Sequence, residues 1–217
     1  MFLIPTRERP FSMRELISAC YLYGMPDRVA VMIDGEPRAY DSVHWPASWK
    51  IHYAGDYSPD GHLEMVRATN QLFELYPDEP WYGFLNDRAR PRQPGWSEAL
   101  ISASGRGWAN QASLGTNLRS KRTRMKNGVM AGSLVRSMGW FWPDWLIHFF
   151  VDDFWEEVLQ GAGLWTQTDV KIEEQRIDKH PRVFKGEAFW QKDHDAFMAW
   201  LENKDATIER VRGLVAA

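Results

Sequence analysis

Strand-length segments rich in apolar residues alternate with longer segments of mixed polarity along the first half of the chain. The apolar segments are residues 2–5, 29–33, 49–53 and 81–85, and most of the segments between them are long enough to hold a helix. A buried strand, a helix and a second buried strand in succession are typical of a right-handed parallel crossover. The pattern therefore predicts an α/β fold with a mainly parallel central sheet flanked by helices.

Capping-box patterns mark the expected starts of two helices. Ser12 with Glu15 predicts a helix that ends at Gly24, and Asp153 with Glu156 predicts a helix over residues 154–160. In this pattern the two side chains, three residues apart, satisfy free backbone N–H groups. Apolar spacing predicts further helices at 62–75 and 196–215, a helix or turn at 96–101 and a late strand at 170–174.

The composition is that of an ordinary soluble globular protein. The 217 residues are 44% hydrophobic and 25% charged, with a formal net charge of -3. This balance argues against a surface that binds nucleic acid everywhere, so any such contact is expected to be local. The one cysteine, Cys20, excludes an intramolecular disulfide, and the first apolar run is too short to span a membrane. We therefore expect a cytoplasmic protein without a membrane partner.

Three common enzyme signatures are absent from the sequence. No G-x-G-x-x-G follows the first predicted strand, and no G-x-x-x-x-G-K-[ST] phosphate loop occurs. The G-x-S-x-G turn of α/β-hydrolases is also missing. These absences argue against a dinucleotide dehydrogenase, a P-loop ATPase and an α/β-hydrolase.

The loop at residues 5–10 joins the first predicted strand to the first predicted helix. Free backbone N–H groups at a helix start favour an anion, and Arg7 and Arg9 add side chains suited to phosphate. A solvated loop with two surface arginines is the alternative. Asp34, at the end of the second strand, is suited to accept hydrogen bonds from a ribose or a base, although Asp34-Gly35 is also a turn signal.

Acidic residues supply the other candidates for chemistry. Asp87 follows the strand at 81–85, where a carboxylate can hold Mg²⁺ against a diphosphate or simply form a turn. His180 is suited to complete such a metal site, although a lone surface histidine is more common. A helix cap needs only one carboxylate of the Asp152-Asp153 pair, which leaves Asp152 as a candidate general base.

Three segments resemble the motifs of one enzyme family. Residues 3–10 read L-I-P-T-R-E-R-P and are similar to a first-strand motif that is usually P-T-R-x-R-P. Residues 82–96 resemble a central segment close to Y-G-F-x-G-D-D-x-x-P-R-T-P-G-W, and residues 148–155 are similar to H-x-Y-x-D-x-x-W. In content and order these segments resemble the small A-type glycosyltransferases found in bacteriophage genomes and metagenomes.

The resemblance implies a single-domain nucleotide-diphospho-sugar transferase fold. Residues 1–95 are expected to bind the nucleotide sugar, residues 96–195 to bind the acceptor, and residues 196–217 to form a closing helix. The residues expected at the nucleotide sugar are Pro5, Thr6, Arg7, Arg9, Asp34, Asn70, Asn86 and Asp87. The residues expected at the acceptor are Arg88, Arg90, Trp96, Arg119, Arg122, Trp140 and Trp142.

The resemblance also implies catalytic roles. Asp152, with Asp153 beside it, matches the acid that serves as general base in inverting members of the family. Asp87 and His180 match the side chains that hold Mg²⁺ or Mn²⁺. The catalytic expectation is therefore a metal-dependent transferase.

The chain departs from the family pattern at two places near the expected metal. Asn86-Asp87 stands where two adjacent acids are usual, so an amide replaces one carboxylate. Ahead of His180, where a Glu-His pair is usual, residues 173–176 read Glu-Glu-Gln-Arg, and Glu174 or Gln175 is a candidate for that place. Both departures bear on how a cation would be held.

The predicted function is transfer of a sugar from a nucleotide-diphosphate sugar to an acceptor hydroxyl. The phage-like context suggests a 5-hydroxymethylpyrimidine in DNA, with phosphates bound by the basic segment 117–128 and the base stacked near Trp140, Trp142 and Trp145. The basic segment is equally suited to close over the donor diphosphate. A saccharide-directed transferase and an inactive nucleotide- or nucleic-acid-binding module are the alternatives. If the protein is phage-encoded, the cytoplasm is that of the host.

Overall fold

Nine strands and seven helices form the part of the chain that the computed structural model describes, residues 1–58, 62–112, 125–175, 177–178 and 186–216. The strands are β1 (Phe2–Arg7), β2 (Val29–Asp34), β3 (Trp49–Tyr53), β4 (Trp81–Phe84), β5 (Ala89–Pro91), β6 (Trp108–Asn110), β7 (Gly128–Ala131), β8 (Trp165–Gln167) and β9 (Ile172–Glu174). The helices are α1 (Pro10–Tyr23), α2 (Met65–Leu75), α3 (Trp96–Ser104), α4 (Gly132–Met138), α5 (Val151–Gly161), α6 (Gly186–Leu201) and α7 (Lys204–Ala216).

Seven of the strands form one sheet in the order β3-β2-β1-β4-β7-β6-β8. Strand β7 is antiparallel to both of its neighbours, and every other pairing in the sheet is parallel. The other six strands therefore run in one direction, which confirms the predicted α/β fold with a mainly parallel central sheet. Strands β5 and β9 form a separate antiparallel pair beside the carboxyl end of β4.

Alternate residues of the central strands enter two hydrophobic cores, one on each face of the sheet. In β1, Phe2 and Ile4 join a core with residues of α1 and α3, whereas Leu3 joins a core with residues of α2 and α4–α7. Because helices cover both faces, all the residues of β2 are buried, as expected for a parallel strand inside an α/β fold. This burial explains why β1 and β2 stand out in the sequence as short, almost continuous apolar runs.

The first helix begins earlier than its capping-box pattern predicts. Helix α1 begins at Pro10, and the backbone N–H of Ser12 donates to the carboxylate of Asp178 at 2.9 Å. A proline suits the first helical position because its missing N–H would have no partner there in any case. The predicted end is confirmed: Gly24 follows the helix with φ of 118°, and its N–H donates to the carbonyl of Cys20.

The helix start predicted from the second capping box is also wrong. Helix α5 begins at Val151, with Phe150 in the left-handed conformation before it. Glu156 is buried inside the helix, where its carboxylate accepts the N–H of Met125. The predicted closing helix is two helices, since α6 ends at Leu201 and α7 begins at Lys204.

Within the described ranges, no helix combines the length and the apolar character that a membrane crossing requires.

Candidate active site

Polar residues at or just beyond the carboxyl ends of β1, β2 and β4 lie close together. Arg7 is paired with Asp34 in the register of β1 and β2, and its guanidinium lies 3.7 Å from the Asp34 carboxylate. Asp87, three residues after β4, accepts a hydrogen bond of 3.1 Å from the hydroxyl of Thr6. Residues predicted separately from the sequence thus share one edge of the sheet, where open α/β folds bind ligands.

Asp87 is buried and held by two side chains from the first loop. Arg9 donates through Nη1 to both carboxylate oxygens, at 3.0 and 3.3 Å, and Thr6 donates to Oδ2. Burial raises the pKa of Asp87, while the positive charge of Arg9 acts in the opposite direction. The side chain of Asp87 is only 2% exposed, whereas 37% of the Arg9 side chain remains accessible. Arg9 is therefore the part of this ion pair that faces solvent.

Tyr40 supports the same loop and was not predicted from the sequence. Its hydroxyl lies 2.9 Å from the hydroxyl of Thr6 and accepts the backbone N–H of Arg9 at 3.0 Å. Burial raises the pKa of Tyr40 to about 12, so the phenol stays protonated at neutral pH. Tyr40 ends a short helical turn after β2, and neither apolar spacing nor a motif marks it in the sequence.

Asp34 is fixed by the segment that precedes α2. Its Oδ1 accepts the backbone N–H of Leu63 at 3.0 Å and lies 3.2 Å from Nδ1 of His62. Burial raises the pKa of Asp34, and these contacts together with Arg7 oppose the shift. Gly35 follows with φ of 107°, so the turn and a buried carboxylate at the site edge occur together.

The 86–88 segment is an internally bonded turn. The side-chain oxygen of Asn86 accepts both the backbone N–H of Arg88 at 3.0 Å and its Nε at 3.1 Å. The backbone N–H of Asn86 donates to Asn127 at 2.7 Å, and the Asn127 amide donates to Gln111 at 2.7 Å. Asn127 and Gln111 are buried, so a chain of amides anchors this turn to the interior. Neither amide is marked by a motif in the sequence.

A loop clamped by a distant carboxylate leads into α5. Asp193 of α6 is fully buried and accepts the backbone N–H groups of Ile147, His148 and Phe149 at 2.9, 2.8 and 2.8 Å. Nothing in the sequence around Asp193 marks this role. The clamp fixes the chain shortly before the first turn of α5, which contains Asp152 and Asp153.

His148, in this loop, is influenced by charged side chains of the site. Burial lowers the pKa of His148; nearby Asp193 opposes the shift, and the charges of Arg9 and Arg88 add to it. His148 therefore lies within electrostatic reach of the arginines around Asp87. Asp152 follows four residues later, at the start of α5.

Three of the residues expected at the acceptor lie inside the protein, which corrects their assignment. Trp96 is 0% exposed and donates to the carbonyl of Gly24, and Trp142 is 2% exposed. Arg90 is also 2% exposed and donates to the backbone carbonyls of Asp87 and Ala89. Side chains so deeply buried cannot stack on an acceptor or contact its phosphates.

Asn70, expected at the nucleotide, hydrogen-bonds to a turn 71 and 72 residues further along the chain. Its Oδ1 accepts the backbone N–H groups of Phe141 and Trp142 at 3.0 and 2.9 Å, and its Nδ2 donates to the carbonyl of Trp142 at 2.8 Å. The residue is 8% exposed. Its amide therefore joins α2 to the turn between α4 and α5.

The remaining predicted residues divide into two groups. Pro5, Arg88, Trp140, Asp152 and Asp153 are half-buried and keep part of their surface accessible. Arg119, Arg122 and His180, by contrast, lie outside the described residues. Within the described part of the chain, no three His, Cys, Asp or Glu side chains are grouped to hold a metal ion.

The mixed sheet flanked by helices has counterparts among proteins of known structure. No family model matches the sequence, and no curated protein gives a significant match. Solved structures do match, which confirms the expected fold. At the sequence identities found, the likeness concerns the fold alone.

Two glycosyltransferases represent these structural matches. One is glucosyl-3-phosphoglycerate synthase from Mycobacterium tuberculosis in complex with Mn²⁺, UDP-glucose and phosphoglyceric acid. It has a TM-score of 0.63 and 10% identity over 94% of this chain and 79% of that chain. The other is TarS from S. aureus, with a TM-score of 0.59 and 11% identity over 78% of this chain. The match spans 35% of that TarS chain, and it spans 63% of TarS 1–349 in complex with UDP-GlcNAc.

Proposed function

We propose that this protein transfers a sugar from a nucleotide-diphosphate sugar to an acceptor hydroxyl. The observation that carries the proposal is the meeting of Arg7, Arg9, Asp34 and Asp87 at the carboxyl edge of an A-type sheet. Two partly exposed guanidinium groups there are suited to a diphosphate. The structural neighbours supply independent support, since their crystals contain UDP-GlcNAc in one case and UDP-glucose in the other.

In the proposed reaction the acceptor oxygen bonds to the anomeric carbon of the donor sugar. The bond from that carbon to the diphosphate oxygen breaks, and its electron pair remains on the diphosphate. Asp152 takes the proton of the acceptor hydroxyl as general base. A single in-line displacement of this kind inverts the anomeric configuration. The half-buried position of Asp152 in the first turn of α5, after the clamped loop, supports its role.

For the acceptor we propose a 5-hydroxymethylpyrimidine in DNA. Its support comes from the sequence, through the resemblance of three motifs and the basic residues Arg119, Lys121, Arg122, Arg124 and Lys126. Binding to duplex DNA should then weaken steeply as salt rises, and neutralising this basic segment should abolish the dependence. A saccharide acceptor predicts transfer that is insensitive to the segment's charge.

A panel of nucleotide sugars tests the donor class by thermal stabilisation. A donor at about one hundred times its dissociation constant adds about 2.7 kcal/mol to the free energy of unfolding. For a chain of this size that corresponds to a rise in Tm of about 5 to 11 °C. If no UDP-, GDP-, CDP- or dTDP-sugar stabilises the protein, the proposed donor class is wrong.

Transfer of a radiolabelled sugar from the stabilising donor then tests the base. Asp152→Asn should lower kcat by about one hundredfold or more, because general base catalysis contributes about 10² to 10⁴ in rate. Donor-induced stabilisation should persist, because Asp152 is assigned to the acceptor proton. Asp153→Asn is the matched control, and an equal loss there would contradict the assignment to Asp152.

A further inference from the structure

Two acids that the sequence marks as candidates near the expected metal already have cationic partners within the protein. Asp87 pairs with Arg9 at 3.0 Å, and Glu174 pairs with Lys126 at 3.7 Å. Strand β9 places Glu174 beside Ala89 of β5, on the segment that follows Asp87. Both candidate acids therefore form ion pairs with side chains of the chain itself.

The surroundings of Asp87 are unsuited to Mg²⁺ or Mn²⁺. Both carboxylate oxygens accept hydrogen bonds, from Arg9 and from Thr6. An ionised carboxylate has about four lone-pair sites, and these hydrogen bonds use three of those of Asp87. Mg²⁺ binds oxygen at about 2.0 to 2.1 Å, so at this buried carboxylate it would lie beside the Arg9 guanidinium, and the two positive charges would repel each other.

The other position of the expected metal motif, Asn86, is also occupied by hydrogen bonds. Asn86 is neutral, and its side-chain oxygen accepts two N–H groups from Arg88. Arg88 in turn contributes to the electrostatic surroundings of Asp87. The described residues thus offer two carboxylates engaged in ion pairs, Asp87 and Glu174, and one engaged amide where a cation needs oxygen ligands. They do not fit a divalent metal site.

The same arrangement suits direct binding of a diphosphate by arginine. Among the described residues, the guanidinium of Arg9 donates its side-chain hydrogen bonds through Nη1, and 37% of the Arg9 side chain is exposed. A guanidinium has five N–H donors in a planar fork that matches phosphate oxygens two at a time. Arg88 is half-buried in the adjacent turn, whose geometry Asn86 fixes.

We propose that the guanidinium groups of Arg9 and Arg88 hold the donor diphosphate in place of a divalent cation. The proposal rests on the proposed function, because it requires a nucleotide-diphosphate donor. When the bond between the anomeric carbon and the diphosphate oxygen breaks, the electron pair adds negative charge to that oxygen. Arg9 and Arg88 neutralise this charge, so the departure of the diphosphate requires no metal.

Calorimetric binding of UDP, GDP, CDP and dTDP, each in EDTA and in Mn²⁺, tests the proposal without relying on activity. For the nucleotide that binds, affinity in EDTA should lie within about threefold of that in Mn²⁺, a difference of less than about 0.7 kcal/mol. Arg9→Gln and Arg88→Gln should each weaken binding in EDTA by about 10- to 100-fold, because each removes a charge-assisted contact to phosphate.

Two further variants keep the result interpretable. Arg9→Gln leaves the buried Asp87 without its cation, so the double variant Arg9→Gln/Asp87→Asn removes both charges together. It should show the same loss of nucleotide affinity, with its fold checked by circular dichroism. Arg28→Gln is the matched control, since Arg28 precedes β2 at the opposite edge of the sheet and pairs with Glu79. Its nucleotide affinity should equal that of the wild type.

The outcomes separate the two proposals. Binding that requires Mn²⁺ overturns the arginine assignment and leaves the proposed donor class intact. Metal-independent binding that Arg9→Gln, Arg88→Gln and the double variant leave unchanged also overturns it. Failure of all four nucleotides to bind, with or without Mn²⁺, overturns the donor class and the arginine assignment with it.

Discussion

Replacing Asp193 tests whether a single buried carboxylate fixes the loop that leads into the site. Asp193 is fully buried on α6 and accepts three backbone N–H groups, from Ile147, His148 and Phe149. Asp193→Ala removes all three acceptor contacts and leaves no other group of its own to replace them. We expect a loss of stability and a less ordered approach to Asp152.

The size of the loss follows from these three contacts. A buried N–H group left without a partner costs about 1 to 3 kcal/mol. Three such groups give about 3 to 9 kcal/mol, and water that enters the space vacated by the carboxylate brings the expected loss to about 3 to 5 kcal/mol. For a domain of this size, this corresponds to a fall in Tm of about 6 to 20 °C.

Thermal and urea denaturation of the wild type, Asp193→Ala and Asp195→Ala measures this loss of stability. Asp195→Ala is the matched control, because Asp195 lies on the same helix with 66% of its side chain exposed. Surface substitutions of this kind usually change stability by less than about 0.5 kcal/mol. A difference in Tm of less than about 2 °C between Asp193→Ala and Asp195→Ala is roughly the effect expected of a surface substitution. Such a result would show that the three contacts of Asp193 do not stabilise the fold.

Two further predictions concern the same region. Burial lowers the pKa of His148 from its ordinary value of 6.5, so below about pH 6.5 the unfolded chain binds more protons than the folded chain. The free energy of unfolding should therefore fall as the pH drops below about 6.5. In urea titrations, the free energy of unfolding of His148→Gln should fall less steeply over the same pH range. An unchanged slope would refute the role of His148. Asn70→Ala leaves the N–H groups of Phe141 and Trp142 without their acceptor and should cost about 2 to 4 kcal/mol. Glu74→Ala, exposed on the same helix, is its control, and equal urea midpoints for the two variants would contradict the bracing role of Asn70.

The elements built from local contacts were predictable from the sequence. Strands β1 and β2 and helix α1 were all predicted, and Gly24 correctly marks the end of α1. A strand buried on both faces must be apolar throughout, and a helix that ends at a positive φ favours glycine. These requirements concern neighbouring residues, so the sequence alone carries them.

The helix starts show where local patterns mislead. Ser12 and Glu156 both occur in capping-box patterns, yet the backbone N–H of Ser12 donates to Asp178 and the carboxylate of Glu156 accepts the backbone N–H of Met125. Both partners are far away in the sequence. A polar group takes the partner that the fold brings near it, so a local pattern in the sequence shows only one of its possible uses.

The sequence by itself determined the mainly parallel sheet, because the order of apolar strands and amphipathic helices leaves few other ways to bury them. It also marked Arg9, Asp34 and Asp87 as chemically suited residues, since each follows a predicted strand. Only the tertiary structure decided that Arg9 pairs with Asp87 across 78 positions of the chain. Apolar periodicity reports which residues are buried, whereas the partner of a buried charge depends on which loops meet at the edge of the sheet.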